Sequence, residues 1–165
     1  MNIVKLNKEQ GVALGLIVLA VVTRLIPHPP NFAPITGIAL FAAARFQSKG
    51  LAILIPFLGL FLTDLVLGLS AISFFVYIGF GLILFLGFRT KRTTVPTIMF
   101  SSILFFVVSN LGVWLLYYPL SLEGLISCFT LAIPFFTNTL WGDLVYTGVL
   151  FFTFSSIKKH YLQPS

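Results

Sequence analysis

The chain has 165 residues, 58% of them apolar and only 8% charged, with a mean hydropathy of +1.06. About a quarter of a soluble domain is charged, so ten basic and four acidic residues cannot clothe a water-facing surface of this size. The net charge of +6 is split into short clusters between apolar runs. That pattern excludes a nucleic-acid-binding module and points to an all-α integral membrane protein with one transmembrane domain across residues 1–165.

Lys5 and Lys8 precede a first apolar run at residues 11–26. Thr23-Arg24-Leu25 offers no small-residue cleavage pattern, so the expectation is an uncleaved helix rather than a secretory signal. Pro27, Pro29, Pro30 and Pro34 then fix φ and favour a stiff, extended strap. Asn31 is placed to cap a second helix, with Pro34 tolerated in its first turn. The predicted spans are 11–26, 31–46, 51–69, 72–88, 95–117 and 134–154. The first two are short for a span of ~20 residues and would borrow a turn from their flanks or lie where the bilayer thins.

Residues 121–133 are too few to cross. A continuous helix over 121–154 would be ~50 Å long, more than a bilayer needs, and Pro134 cannot donate the bond that a continuing helix requires. The expectation is a short outer-face or re-entrant helix begun at Ser121, with Glu123 in its first turn where the helix dipole favours a carboxylate.

In this six-span arrangement Lys5, Lys8, Arg45, Lys49, Arg89, Lys91, Arg92, Lys158 and Lys159 all fall on one side, and only Arg24 on the other. The positive-inside rule then puts both termini in the cytoplasm. An echo of Ile55-Pro56-Phe57 and Asp64-Leu65-Val66 recurs as Ile133-Pro134-Phe135 and Asp143-Leu144-Val145. It is what an inverted repeat would leave, or chance, since the rest of the two halves does not align.

Ionisable groups inside spans are costly and mark function by default. Arg24, Asp64 and Asp143 lie ~3, ~8 and ~14 Å below the outer boundary, and Asn110 and Asn138 ~12 and ~6 Å below it. Such one-sided polarity predicts a cavity in the outer half, with His28 and Phe32 brought over it on the strap as a lid. The competing expectation is that the same groups only lock helices, Arg24 pairing with Asp64 and the amides bonding across the bundle. At 100° per residue Asn110, Trp114 and Tyr117 share a stripe, as do Thr139, Asp143, Tyr146 and Thr147, while Asn138 and Trp141 point elsewhere. Trp141 is too deep for an interfacial belt and joins the candidate binding set; Trp114 would stack a ring. Small residues at Gly11 and Gly15, Ala39 and Ala43, and Gly79 and Gly81 predict close helix contacts. There is no nucleophile motif, phosphate-binding loop or metal tetrad, so neither an enzyme nor a cofactor is expected. The lone Cys128 excludes an internal disulfide.

The strings HPPNFAPITGIALF, LTDLVLG, SNLGVWLLYYP and AIPFFTNTLWGDLVYT resemble a family of small bacterial inner-membrane proteins. That family is similar in size and six-helix plan to the substrate-binding (S) components of energy-coupling-factor vitamin transporters. The resemblance implies a multi-pass protein of the bacterial cytoplasmic membrane, an outer-half site for a vitamin-like solute under the first loop, and a coupling subunit driven by two ATPases as partner. Such components often carry an Ala-x-x-x-Ala pattern in the first helix for docking that subunit. Here the first helix has Gly11-x-x-x-Gly15, and Ala39-x-x-x-Ala43 lies in the second. The binding set is therefore Arg24, His28, Asn31, Phe32, Asp64, Asn110, Trp114, Asn138, Trp141 and Asp143; the alternative is a structural or assembly protein.

Overall fold

A computed structural model describes residues 6–90 and 92–162; the topology cations Lys5 and Lys91 lie outside them. The described chain is all helical: α1 Lys8–Thr23, α2 Ile35–Arg45, α3 Lys49–Leu67, α4 Ala71–Arg89, α5 Val95–Tyr117 and α6 Leu122–Ile157, followed by a π-helical turn, Lys158–Leu162. Local chemistry sets most of the starts. Asn7 and Gln10 form a reciprocal capping box on α1, and the side chains of Ser48, Thr94 and Ser121 accept first-turn N–H groups of α3, α5 and α6. Gly68, at φ 102°, ends α3 in a conformation that a side chain would strain, and its N–H bonds back to the Asp64 carbonyl.

Helices α3 to α6 are each long and apolar enough to cross a membrane. Large apolar side chains cover their outer faces; Leu54, Phe74 and Phe152 are 60%, 63% and 75% exposed. An exterior of this kind fits a membrane protein, for which lipid replaces water as solvent.

The shortest helix holds the centre. Residues 36–42 of α2 are all buried, and α2 packs against each of the other five helices. Phe41 meets Phe151 and Phe154 edge to face at 5.2 and 5.6 Å. Tight crossings depend on missing side chains. A Cβ on Gly87 of α4 would stand 2.7 Å from the Ala43 Cβ of α2, and one on Gly37 of α2 would stand 3.1 Å from the Thr147 N of α6. Ala39 and Ala43 thus serve the interior of the bundle, Ala39 being fully buried. By contrast, nothing lies within 4 Å of a Cβ placed on Gly11 or Gly15. Gly87→Ala should cost about 1–3 kcal/mol through overpacking. At Gly148, where nothing lies within 4 Å, alanine should be neutral or gain up to about 1 kcal/mol of helix propensity. Unfolding in detergent compares the two, and equal stabilities would contradict the close α2–α4 crossing.

Two expectations are corrected. There is no separate helix at 121–133: α6 starts where predicted, after Ser121, but passes Pro134 and continues to Ile157. Its length is ~54 Å. The proline forfeits one backbone bond, whereas a break inside an apolar bundle would strand several N–H and C=O groups. Continuity is the cheaper arrangement. The second correction concerns Asn31, which does not cap α2. Pro34 is the N-cap residue and supplies no side-chain bond. Asn31 instead sits at φ 62°, in a turn closed by the Phe32 N–H on the Pro29 carbonyl at 3.0 Å. Proline followed by a left-handed asparagine is the preference of a type II turn.

Candidate functional site

Because α2 has only 11 residues, it stops short of the end of the bundle where α1 finishes and the strap begins. The space above its N-terminus is a cavity of about 380 Å³. Its walls come from the end of α1, the strap, the start of α2, the α3–α4 connection, the second half of α5 and the middle of α6. Arg24, His28, Asn31, Asp64, Asn110 and Asp143 all line it, with Thr36, Ser70, Ser73, Ser109 and Thr139 as hydroxyl neighbours and Phe105, Phe106 and Phe135 as apolar wall.

Two polar assemblies organise this space. In the first, Arg24 Nη2 bonds Asp64 Oδ1 at 2.8 Å, with the side chains 11% and 10% exposed. Arg24 Nη1 also donates to the Leu60 carbonyl at 3.2 Å and to the Thr63 hydroxyl. Tyr77 closes the set by donating its hydroxyl to Asp64 Oδ2 at 2.8 Å. Each carboxylate oxygen has a donor and the charges cancel, so the exception to the basic-side pattern is held by a partner on α3.

The second assembly is centred on Asp143 in α6, 1% exposed. Its Oδ2 accepts from Thr36 Oγ1 of α2 at 2.7 Å and from Ser102 Oγ of α5 at 2.6 Å. Oδ1 has no hydrogen-bond partner within the protein; neither does Thr147 Oγ1, one turn along α6, nor Ser101 Oγ beside Ser102. Buried polar atoms are rarely left in this state, and the cost falls when a water or solute supplies the missing bond.

The strap is fastened along one stripe of α6. Asn138 Nδ2 donates to the Pro30 carbonyl at 3.0 Å. A Cβ on Gly142 would come within 3.3 Å of Ala33 N and Phe32 Cα, so a side chain here would push the strap outward by a few tenths of an ångström. Phe32 packs on Tyr146 with ring centroids 5.7 Å apart. Residues 138, 142 and 146 thus seat the strap, while 139 and 143, next around the helix, face the cavity.

Six of the ten predicted site residues therefore share the cavity, and four do not. Phe32 and Asn138 anchor the strap. Trp114 donates Nε1 to the Pro119 carbonyl at 3.0 Å and ties down the α5–α6 connection, so it stacks on nothing in the cavity. Trp141 is 60% exposed on the outside of the bundle. It lies ~200° around α6 from both Thr139 and Asp143, and depth gave it no access to the face those residues present. Sequence reasoning missed Thr36, Tyr77 and Ser102, although Tyr77 is the lone phenol within the α4 apolar run. Among the described residues no three His, Cys, Asp or Glu side chains gather as a metal site.

No curated protein and no solved structure matches this chain. A family described as a family of unknown function (DUF6580) matches residues 4–164, nearly the whole length, and the chain belongs to that family.

Proposed function

We propose that this is a membrane-embedded solute-binding protein, the substrate-specificity component of a vitamin or micronutrient uptake system in the bacterial cytoplasmic membrane. The observation that carries it is the cavity: about 380 Å³, within the range of small-molecule sites, walled by amide, hydroxyl, carboxyl and phenyl groups from α2 to α6 and the strap, with the Arg24 guanidinium at the end of α1. Six crossings with both termini in the cytoplasm would accord with the basic clusters, and in that arrangement this cavity would open in the outer half. The likeness in plan to S components of energy-coupling-factor transporters supplies the partner, a coupling subunit with ATPases. The open face of α1 at Gly11 and Gly15 is where such a subunit would approach. The second reading is a structural protein, and the fully paired Arg24–Asp64–Tyr77 set favours it.

Native mass spectrometry of protein purified in mild detergent, searching for a retained small molecule, tests the choice. Thr139→Leu fills the cavity without touching the ion pair, and Asn110→Ala removes a lining amide. Both should lower retention at least tenfold, about 1.4 kcal/mol or more, with melting unchanged. A wild type that purifies empty, with variants that differ only in stability, would favour the structural protein.

A further inference from the structure

The opposite end of the bundle carries a second cleft, of about 610 Å³, between the α2–α3 and α4–α5 connections. Arg45, Lys49 and Arg92 line it together with Gln47, Thr90 and Thr93, and no carboxylate does. Among the described residues the ion pairs are Arg24–Asp64 and Lys158–Glu9, so none of these three cations has a carboxylate within salt-bridge reach. Glu9, whose field reaches Arg45, is engaged by Lys158 at 3.0 Å.

A solvated basic rim would be a sufficient account if the three side chains simply extended into water. Arg45 does not. Its guanidinium is stacked at 4.5 Å from the Phe154 ring centroid and 5.0 Å from that of Phe151, and its Nε is buried without an acceptor. Lys49 Nζ stands 5.9 Å from the Phe88 ring centroid. Aromatic packing thus holds two of the cations beside the cleft, where like charges repel unless an anion is shared between them. The same cleft has apolar walls, Ala43, Ala44, Phe88 and Phe151, which a free inorganic anion would leave uncovered.

We propose that this cleft binds the phosphate of an anionic membrane lipid, with Arg45, Lys49 and Arg92 as its cationic ligands and the apolar walls against the glycerol and first methylenes. Basic pockets between membrane helices have this recognition chemistry. The site is independent of the cavity at the strap end and stands whether or not that cavity binds a solute.

The full chain in phosphatidylcholine bilayers, titrated with phosphatidylglycerol or with inorganic phosphate and read by native mass spectrometry and thermal unfolding, tests it. Phosphatidylglycerol should be retained at collision energies that strip phosphatidylcholine, and should raise the melting temperature. Lys49→Gln with Arg92→Gln alters two exposed side chains and leaves the stacked arginine in place. It should weaken retention roughly thirtyfold without lowering the melting temperature measured in phosphatidylcholine alone. Equal retention of the two lipids, or unaltered retention by the double variant, would overturn the proposal. So would stabilisation by inorganic phosphate with no further effect of phosphatidylglycerol, which would assign the site to a free anion.

Discussion

Arg24→Met should lower the stability of the folded protein in detergent by about 3–5 kcal/mol, because it leaves the Asp64 carboxylate in a nearly dry site without its cation. Asp64→Leu should cost a similar amount and strand the guanidinium instead. The double variant should recover most of that loss, since an ion pair replaced as a unit by apolar groups of similar volume is often neutral. What remains should be the Tyr77 hydroxyl, which donates to Asp64, and adding Tyr77→Phe should remove it. Equilibrium unfolding of the single, double and triple variants gives the coupling directly. Singles within about 1 kcal/mol of wild type would mean that the pair is loosely held and open to water. The same series bears on function. If a solute ligates Arg24 or Asp64, the stable triple variant will fail to retain it; if the pair only fixes where α1 ends against α3, retention will survive.

What could be read from the sequence divides along physical lines. Helices α3, α4 and α5 lie within two residues of the spans predicted at 51–69, 72–88 and 95–117, because nothing in those runs competes with hydropathy. The centrality of α2 could not be read. In a lipid environment inner and outer helix faces are both apolar, so no periodic contrast tells a surrounded helix from a peripheral one. Pro134 misled because a water-soluble rule for helix breaking was applied where a broken helix has no solvent for its backbone. Arg24, Asp64, Asn110 and Asp143 stood out because charged and amide groups are rare in such a chain. Of the hydroxyls that line the cavity with them, only Thr139 did, by sharing the Asp143 stripe. Ser102, Ser109 and Thr139 each return a bond to a carbonyl four residues back, so an intramembrane Ser or Thr carries little information about what else it faces.

Asp143 poses the sharper question, because it is more deeply buried than Asp64 and has no cation among its hydrogen-bond partners. Its Oδ2 joins α2, α5 and α6 through two hydroxyls, and α2 has no side-chain cap of its own. Asp143→Leu should therefore cost about 2–4 kcal/mol, most of it from Thr36, whose hydroxyl loses its acceptor in a buried site. Ser102 suffers less, since it also bonds the Ile98 carbonyl at 3.0 Å. Asp143→Asn should behave differently. An amide oxygen can accept both hydroxyls, so stability should stay within about 1 kcal/mol of wild type, the difference reflecting the α2 dipole against the cost of burying a carboxyl group. If Oδ1 serves a solute, the asparagine variant will be folded and will bind at least tenfold more weakly, a loss of about 1.4 kcal/mol. Unfolding and retention measured on the two variants separate the roles. An asparagine variant as unstable as the leucine one would make the negative charge itself part of the fold. Asp143 would then be, like Asp64, a lining carboxyl group committed to holding helices together.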